Sequence, residues 1–354
     1  MTEPLLKWYE EHKRELPWRS SPTAYHVWVS EIMLQQTRVE AVKEYYRRFL
    51  DRLPTIHDLA VADEEVLLKL WEGLGYYNRV RNMQKAAQTV VQQYDGTLPA
   101  DYEELLKLAG IGSYTAGAVA SIAYGIPRPA VDGNVLRVIM RVLECSDDIM
   151  KQSVKRAVED VLTDIMPADR PGAYNQALME LGAMVCVPNG APHCAECPIK
   201  NICSSCGHGT AMDFPYKTPK KQRRIEERTV FVIQDADCAV LHRRGAKGLL
   251  AGLYELPNVV GCLDEQQTLE WVEREGFQAV HIERLPQAKH IFSHIEWRMQ
   301  AYRIKVCDMG EESSDAMLRS RKEAGWLVVR QDRIAQEIPI PAAFSSYMDY
   351  VIHL

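Results

Sequence analysis

Hydrophobic residues recur at the spacing of an amphipathic helix through most of residues 1–205 and then give way to shorter alternating runs. The helical spacing is present in eight segments, at residues 5–16, 27–50, 64–74, 79–94, 102–110, 113–125, 133–143 and 174–186. Pro or Gly separates them, as at Pro54, Gly96 and Pro167. Farther along, the pattern predicts strands at 229–234, 238–244, 278–285 and 298–306, with a helix at 268–276.

This change of pattern predicts two domains. Residues 1–212 are expected to form a mostly α-helical region, residues 213–228 a linker, and residues 229–354 a smaller α+β domain. The linker lacks apolar periodicity and carries a run of basic residues, namely Lys217, Lys220, Lys221, Arg223, Arg224 and Arg228. Such a run either lies along nucleic-acid phosphates or forms a solvated tether.

Composition is typical of a soluble globular protein. Hydrophobic residues make up 47% and charged residues 25%, and the net charge is −6. No apolar run reaches the roughly 18 residues of a membrane span, and residues 1–16 lack the apolar core of a signal peptide. We therefore expect a cytoplasmic protein with no membrane partner. The acidic total does not exclude nucleic-acid binding, because binding needs only a local basic face.

Five of the nine cysteines lie between residues 186 and 206. Four of them follow one another with spacers of seven, two and five residues: Cys186, Cys194, Cys197 and Cys203. In a reducing compartment this grouping favours a metal site over disulfides. The spacing alone fits a [4Fe–4S] cluster or a zinc ion equally well, and Cys206 is an alternative fourth ligand.

Two acidic residues have the surroundings of a catalytic pair. Glu31 is the only charged residue in 27–36, and burial there would raise its pKa and retain a proton for general acid catalysis. Asp132 precedes a predicted helix, whose N-terminus favours the ionised carboxylate. A surface glutamate and a simple N-cap are the alternatives. One protonated and one charged carboxyl group form the pair that cleaves glycosidic bonds through an oxocarbenium-like state.

A glycine turn joins the two predicted helices within residues 102–125. Gly110 and Gly112 come just before the second helix, so its first N–H groups are available to a phosphate, although an ordinary tight hairpin has the same pattern. Tyr76 lies in a second glycine-rich stretch ahead of Arg79 and Arg81. An aromatic ring there either wedges into a base stack or packs in a helical core.

Together these motifs resemble the endonuclease III superfamily of helix-hairpin-helix DNA glycosylases and, within it, the adenine DNA glycosylase (MutY) family. The resemblance covers essentially the whole chain and is carried by LPWR (16–19), WVSEIMLQQT (28–37), GLGYYNRVRN (73–82), VDGNVLRV (131–138) and NQALMELGAMVC (175–186). It implies a monomeric, monofunctional enzyme of base excision repair. Such an enzyme flips adenine out of duplex DNA, at mispairs with 8-oxoguanine or guanine, and hydrolyses its glycosidic bond. It also implies a [4Fe–4S] cluster on the four cysteines.

The resemblance assigns roles to matching residues. Glu31 matches the acid that protonates adenine, and Asp132 matches the carboxylate that stabilises the sugar cation, with support from Tyr114 and Asn134. Residues that match the adenine pocket are Trp18, Arg19, Leu34 and Gln176. Residues that match contacts to the base stack near 8-oxoguanine are Gln36, Thr37 and Tyr76.

Tyr114 separates this chain from the bifunctional lyases of the superfamily. In those enzymes the hairpin motif resembles Gly-x-Gly-x-Lys. Their lysine forms a Schiff base, which a tyrosine cannot form. A thymine:guanine mismatch glycosylase would also lack the lysine, but it would lack the long C-terminal domain as well. The sequence therefore favours the adenine enzyme.

The C-terminal domain resembles the Nudix-like domain with which this family reads 8-oxoguanine. GLLAGLYELPN (248–258) and HIFSHIEW (290–297) carry the resemblance, which implies that Phe292, Ser293 and His294 contact 8-oxoguanine. The glutamate-rich metal box of Nudix hydrolases is missing after residue 257, which argues against a Nudix hydrolase with a helical appendage. A non-catalytic damage sensor would be expected to lose one of the two catalytic carboxyl groups, and both are present.

Three positions depart from the family pattern. The spacer after Cys186 is one residue longer than the commonest pattern, Ala109 replaces the usual proline of the hairpin, and Gln176 stands where some relatives carry Glu. We expect the longer spacer to alter the shape of the loop and not the cluster.

Overall fold

The structure, a computed structural model, describes residues 1–219, 222–307, 309 and 325–352. These residues fall into two units. The first comprises Met1–Ala62 and Asn78–Lys220, and the second comprises Asp63–Tyr77 and Lys221–Leu354. Among the described residues, no helix combines the length and the hydropathy that crossing a membrane requires.

The first unit is built from short helices. In chain order these are α1 (Thr2–His12), α2 (Pro17–Ser20), α3 (Ala24–Leu34), α4 (Val39–Arg52), α5 (Ile56–Val61), α7 (Asn78–Gln93), α8 (Tyr102–Leu106), α9 (Ser113–Ala118), α10 (Gly133–Leu143), α11 (Gln152–Ile165), α12 (Pro171–Met184) and α13 (Ser204–His208). The intervening helix α6 (Glu64–Leu70) belongs to the second unit. Two 3₁₀ turns, Cys194–Glu196 and Lys200–Ile202, lie between the cysteines.

The single helix predicted at 27–50 is wrong, because the structure divides it into α3 and α4. Gln36, between them, has a positive φ of 62°, which a continuing right-handed helix does not allow. The two halves also bury different amounts of surface. α3 is buried along almost its whole length, whereas α4 is amphipathic and buries one stripe of Val42, Tyr46 and Phe49.

The predicted hairpin at 102–125 is present as α8, a turn and α9. Gly110 has a φ of 77°, and a Cβ added there would lie 2.8 Å from the Cβ of Asn82, so the turn needs glycine. The second predicted helix changes form after Ala118. Residues Val119–Ala123 are a π-helix, a local widening that often lies at functional sites.

Helices α10 and α12 form the centre of the first unit. Val135, Val138 and Ile139 from α10 belong to the same buried cluster as Leu178 and Leu181 from α12. A close approach fixes this pair, because a Cβ added to Gly182 in α12 would lie 2.6 Å from the Cβ of Asn134. The packing therefore holds the N-terminal end of α10 directly against α12.

The second unit contains a sheet in its described residues. Its strands are β1 (Arg224–Gln234), β2 (Cys238–Arg243), β3 (Tyr254–Glu255), β4 (Asn258–Val260), β5 (Ala279–Ile291), β6 (Ile295–Val306) and β7 (Trp326–Arg330). The main strand order is β3-β2-β1-β6-β5, with β4 paired to β1 and β7 to β2. Helices α14 (Glu265–Arg274), α15 (Gln331–Glu337) and α16 (Ser345–Ile352) complete the unit.

Strand β1 begins inside the segment that was predicted as a linker. It pairs in parallel with β6 from Arg224, opposite Ile295, to Gln234, opposite Lys305. The first five of its residues lack the alternation that marks a half-buried strand, because most of them are solvent-exposed. Backbone pairing with β6 extends the strand to Arg224. The periodicity of hydrophobic residues does not reveal such pairing.

The second unit also takes Asp63–Tyr77 from the region predicted as continuous, 1–212. Lys69 donates from its Nζ to the carbonyl oxygen of Ile338 over 3.0 Å, and Glu72 accepts from the backbone N–H of Ile340 over 2.7 Å. These contacts join residues far apart in sequence, so local patterns could not reveal them.

Candidate active site

A cleft of about 1050 Å³ opens in the first unit between α2, α3, α10 and α12. Most residues that the sequence marks as functional line this one cleft, namely Trp18, Arg19, Glu31, Leu34, Gln36, Thr37, Tyr114, Asp132, Asn134 and Gln176. Gly110 and Gly112 lie in the hairpin turn instead. Tyr76, Phe292, Ser293 and His294 belong to the second unit. Its volume lies at the upper end of the roughly 300–1,000 Å³ of small-ligand pockets, so the cleft has room for more than a single base.

Glu31 places a carboxyl group in the buried face of α3, and only 5% of the residue is exposed. The pKa of Glu31 is raised from the ordinary 4.5 to about 7, mainly by burial and to a smaller extent by the charge of Asp132. A hydrogen bond from Tyr114 and the charge of Arg19 act in the opposite direction. A carboxyl group with a pKa near 7 can both give and take a proton at neutral pH.

Tyr114 donates its hydroxyl hydrogen to Oε2 of Glu31. Burial raises the pKa of Tyr114 well above its ordinary value, so the phenol remains a hydrogen-bond donor. The family resemblance implied that Tyr114 supports the sugar and Asp132. In the structure its hydrogen bond goes to the other carboxyl group, and Tyr114 orients Glu31.

Asp132 is the N-cap of α10, as its position in the sequence predicts. Its Oδ1 accepts from the backbone N–H of Val135 over 2.8 Å, and its Oδ2 accepts from Nδ2 of Asn134 over 2.8 Å. The helix terminus was expected to favour the ionised form, but burial raises the pKa of Asp132 above its ordinary value despite these hydrogen bonds. The cap lowers the pKa, in the direction that the helix terminus predicts, but burial outweighs it.

Asn134 connects Asp132 to the cysteine loop through Arg137. Oδ1 of Asn134 accepts from Nη2 of Arg137 over 2.8 Å. The same guanidinium donates to the carbonyl oxygens of Gly182 and Cys186, each over 2.8 Å. A rigid bidentate side chain thus fixes the amide of Asn134 and, through it, the carboxylate of Asp132.

Arg19 and Gln176 meet at the wall of the cleft. Nε of Arg19 donates to Oε1 of Gln176 over 3.1 Å, while Nη2 of Arg19 donates to Oε2 of Glu180 over 2.9 Å. Arg14 holds the same carboxylate from the other side, with its Nε 2.8 Å from Oε1. The two hydrogen-bonded arginines overcome the burial of Glu180 and lower its pKa to about 2.

Both parts of the chain are similar to families of known proteins. Residues 29–163 match the HhH-GPD superfamily of base excision DNA repair proteins, and residues 229–350 match the NUDIX domain. The adenine DNA glycosylase of Mus musculus is 35% identical over 360 residues, which cover 85% of this chain and 70% of the mouse protein. The chain belongs to the adenine DNA glycosylase family. The predicted family and fold class are therefore confirmed.

Solved structures agree with this fold. A thermostable thymine-DNA glycosylase matches with a TM-score of 0.52 and 26% identity, covering 58% of this chain and 95% of its own. Endonuclease III in a non-covalent complex with DNA matches with a TM-score of 0.51 and 27% identity, covering 59% of this chain and 94% of its own. Both likenesses leave about two fifths of this member of the adenine glycosylase family unmatched.

The cysteine loop of this family member surrounds a mostly apolar cavity. All five clustered cysteines line it, together with Val138, Leu181, Val185 and Ile199. Nη1 of Arg141 donates to Sγ of Cys186 over 3.2 Å, a contact that suits a thiolate. Burial raises the pKa of Cys197 to about 11, so a bound cation is what would favour its thiolate form.

Cysteine thiolates suit either a four-iron cluster or a single zinc ion. Among the residues that the structure describes, no three His, Cys, Asp or Glu side chains converge closely enough to hold one metal ion. A four-iron cube keeps its thiolates farther apart than one zinc ion does, because each thiolate binds a different iron. The thiols of Cys194 and Cys206 also share a hydrogen bond, which leaves the alternative fourth ligand close to the set.

In the second unit, residues 292–294 form the tight turn between β5 and β6. The backbone N–H of Phe292 donates to the carbonyl oxygen of Ile295 over 2.8 Å, and the Phe292 ring packs edge-on against Trp297 with centroids 4.9 Å apart. Ser293 and His294 are exposed at the tip, where Ser293 Oγ lies 3.2 Å from His294 Nδ1. The turn therefore presents two polar side chains on a rigid base.

Sequence reasoning missed Glu180, Arg14, Arg137 and Arg141. Glu180 is the only charged residue in the apolar segment 174–186, which is the same signal that singled out Glu31. Arg137 and Arg141 gave no such signal, because α10 is amphipathic and arginine is common on such helices. Arg14 gave none because it lies in the charged run of residues 10–15. Their partners are backbone carbonyl oxygens and residues distant in sequence, which only the fold brings together.

The raised pKa of Glu31 predicts that this acid costs the enzyme stability. An unfolded glutamate loses its proton near pH 4.5, but the folded one does so near pH 7, so stability falls as pH rises between these values and the full cost applies above pH 7. At ~1.4 kcal/mol per pKa unit, the cost is about 3 kcal/mol. We expect Glu31→Gln to raise the unfolding temperature at pH 8 and to have little effect at pH 4.5.

Scanning calorimetry at the two pH values measures this difference. Glu103→Gln is a matched control, because the Glu103 side chain is 69% exposed and its change should leave the unfolding temperature unaltered at both values. A Glu31→Gln protein that is less stable than the parent at pH 8 would contradict the assigned burial cost.

Proposed function

We propose that this chain is a monofunctional DNA glycosylase that hydrolyses the N-glycosidic bond of adenine mispaired with 8-oxoguanine or guanine. The observation that carries the proposal is the convergence of two carboxyl groups, the buried Glu31 and the half-buried Asp132, in one cleft. Membership of the adenine DNA glycosylase family supports the choice of adenine. The substrate is duplex DNA, from which the base is flipped into the cleft.

Glu31 supplies the proton. Adenine leaves its sugar poorly as an anion, so protonation of the base lowers the barrier to cleavage. With a pKa near 7, Glu31 is largely protonated at slightly acidic pH, and after release of the base it can accept a proton from the attacking water. Tyr114 holds the carboxyl group in place for both steps.

Asp132 stabilises the sugar as positive charge develops at its anomeric carbon. Its carboxylate is held by the backbone N–H of Val135 and the amide of Asn134, so it needs no reorganisation when the cation forms. Arg137 in turn holds the amide of Asn134. Tyr114 takes the hairpin position where the lyases have lysine, and this supports hydrolysis without strand cleavage.

Single-turnover cleavage of a duplex panel tests this proposal. The panel contains A:8-oxoguanine, A:G, T:G and G:8-oxoguanine pairs, and hot alkali converts abasic sites to strand breaks. We expect cleavage at the adenine of the first two pairs, and a rate about 10²–10⁴-fold lower for Glu31→Gln at unchanged DNA affinity. Cleavage of T:G without cleavage of either adenine pair would contradict the adenine assignment.

Recognition of 8-oxoguanine is proposed for the turn of Phe292, Ser293 and His294. 8-Oxoguanine differs from guanine by a carbonyl oxygen at C8 and a proton on N7. A serine hydroxyl can accept from that proton or donate to that oxygen, and guanine offers neither group in the same pose. The exposed, rigid tip of the β5–β6 turn supports this role.

We expect the double change Ser293→Ala with His294→Ala to weaken binding of A:8-oxoguanine by about tenfold, the size of one lost base contact, and to spare A:G. Affinity and single-turnover rates for the two mispairs measure the effect, and the rate from the bound complex should change less than the affinity. Equal losses on both mispairs, or no loss on either, would remove the turn from the recognition site.

We propose further that Cys186, Cys194, Cys197 and Cys203 hold a [4Fe–4S] cluster. The cavity that the cysteines share and the contact from Arg141 to Cys186 support it, together with membership of the adenine DNA glycosylase family. When bound, the cluster would cross-link the chain just after α12, at Cys186, to the loop that carries the other three cysteines. The longer spacer after Cys186 is accommodated in the loop before the first 3₁₀ turn.

Iron analysis and absorption spectra test the ligand set. We expect about four irons per chain in the purified protein, as a four-iron cluster requires. Cys203→Ser should lose the iron, whereas Cys206→Ser should retain it. Retention by the first variant and loss by the second would reassign the fourth ligand, and a colourless protein with one zinc would refute the cluster.

A further inference from the structure

Glu180 is the most deeply buried acid beside the cleft, and its charge is compensated by two arginines. Its side chain is only 1% exposed, yet both of its oxygens accept hydrogen bonds from guanidinium groups. Arg14 contributes its Nε at 2.8 Å, its Nη2 at 3.0 Å and its backbone N–H at 3.0 Å. A buried carboxylate with this many donors is fixed in one orientation.

Arg19 connects the fixed carboxylate of Glu180 to the wall of the cleft. Its Nη2 donates to Oε2 of Glu180 over 2.9 Å, its Nη1 donates to the carbonyl oxygen of Arg14 over 2.9 Å, and its Nε donates to Oε1 of Gln176 over 3.1 Å. The guanidinium is planar, so fixing two of its nitrogens also fixes the direction of the third. Arg19 therefore cannot rotate away from Gln176 while Glu180 is ionised.

Hydrogen bonds fix both the oxygen and the nitrogen of the Gln176 amide. Arginine only donates hydrogen bonds, so the atom facing Arg19 must be the carbonyl oxygen Oε1. Nε2 donates to the backbone carbonyl oxygen of Gly172 over 3.3 Å, which is compatible with the same orientation. An amide oxygen has two lone pairs, so Oε1 can accept one further hydrogen bond from a ligand in the cleft that Gln176 lines, and it cannot donate one.

We propose that Glu180 is a positioning residue for base selection: through Arg19 it locks Gln176 with its oxygen toward the base, so that the cleft accepts a 6-aminopurine and rejects a 6-oxopurine. Adenine carries an amino donor at C6, whereas hypoxanthine carries a carbonyl acceptor there, which faces Oε1 unfavourably. The inference rests on the proposed adenine glycosylase activity and adds the residue that sets its preference at C6.

Glu180→Gln removes the charge that holds Arg19 and Arg14, and it leaves the side chain nearly the same size. A neutral amide cannot hold both guanidinium groups, so Arg19 and Gln176 gain freedom and the amide of Gln176 can turn its Nε2 toward the base. The experiment compares single-turnover cleavage of adenine and of hypoxanthine, each opposite 8-oxoguanine. We expect the adenine-to-hypoxanthine rate ratio to fall by about tenfold or more, because an amide free to turn can satisfy either group.

Arg14→Met is the matched control. It removes the other half of the same ion-pair set and should lower the unfolding temperature as Glu180→Gln does, but it leaves the contacts of Arg19 with Glu180 and Gln176 in place. The rate ratio should therefore stay close to that of the parent. An equal fall in both variants would mean that the effect follows general loss of stability, and would overturn the proposal.

Arg19→Lys and the parent protein provide two further measurements. Should Glu180→Gln fail to fold, Arg19→Lys cuts the same bridge with the buried acid still in place, and its rate ratio should fall likewise. An unchanged ratio in a folded Glu180→Gln or Arg19→Lys protein overturns the positioning role. Failure of the parent protein to cleave adenine from any mispair would instead overturn the proposed function, so the two failures are distinct.

Discussion

Helix α3 carries the carboxyl group of Glu31 among apolar side chains, where water cannot stabilise its charge, and the other features of the cleft follow from this constraint. Because the charged form is costly, the pKa lies near 7, and the group is available as an acid in the neutral range. The same cost requires a nearby donor, which Tyr114 provides. A second carboxylate can be tolerated close by only if its own donors hold it, as the cap of α10 does for Asp132.

Two buried arginine systems set the geometry around this pair. On one side Arg137 joins Asn134 to the carbonyl oxygen of Cys186, so the carboxylate of Asp132 and the cysteine loop share one guanidinium. On the other side Glu180 and Arg19 determine how Gln176 faces the cleft. In both systems a charged group acts by restricting the orientation of a neutral amide.

The sequence predicts the order of the elements and most residues of the cleft, because helical periodicity, the N-cap aspartate and the single acid of α3 are local signals. Three features of the structure could not be predicted from the sequence. Gln36 adopts a positive φ that splits a helix with continuous apolar spacing. Backbone pairing with β6 extends β1 through exposed residues to Arg224. Burial reverses the effect that the helix terminus alone would have on the pKa of Asp132. The strand pairing and the burial of Asp132 both depend on residues far away in the chain.

Asp63–Tyr77 has a consequence for how this protein could be shortened. The chain enters the second unit at residue 63, leaves it after residue 77 and returns at residue 221, so the two units are not consecutive along the sequence. A fragment that ends near residue 219 would keep α6 but lose Ile338 and Ile340, whose backbone groups bind Lys69 and Glu72. Removing the C-terminal domain would therefore also deprive the segment 63–77 of these hydrogen bonds, so the domain is not a detachable appendage.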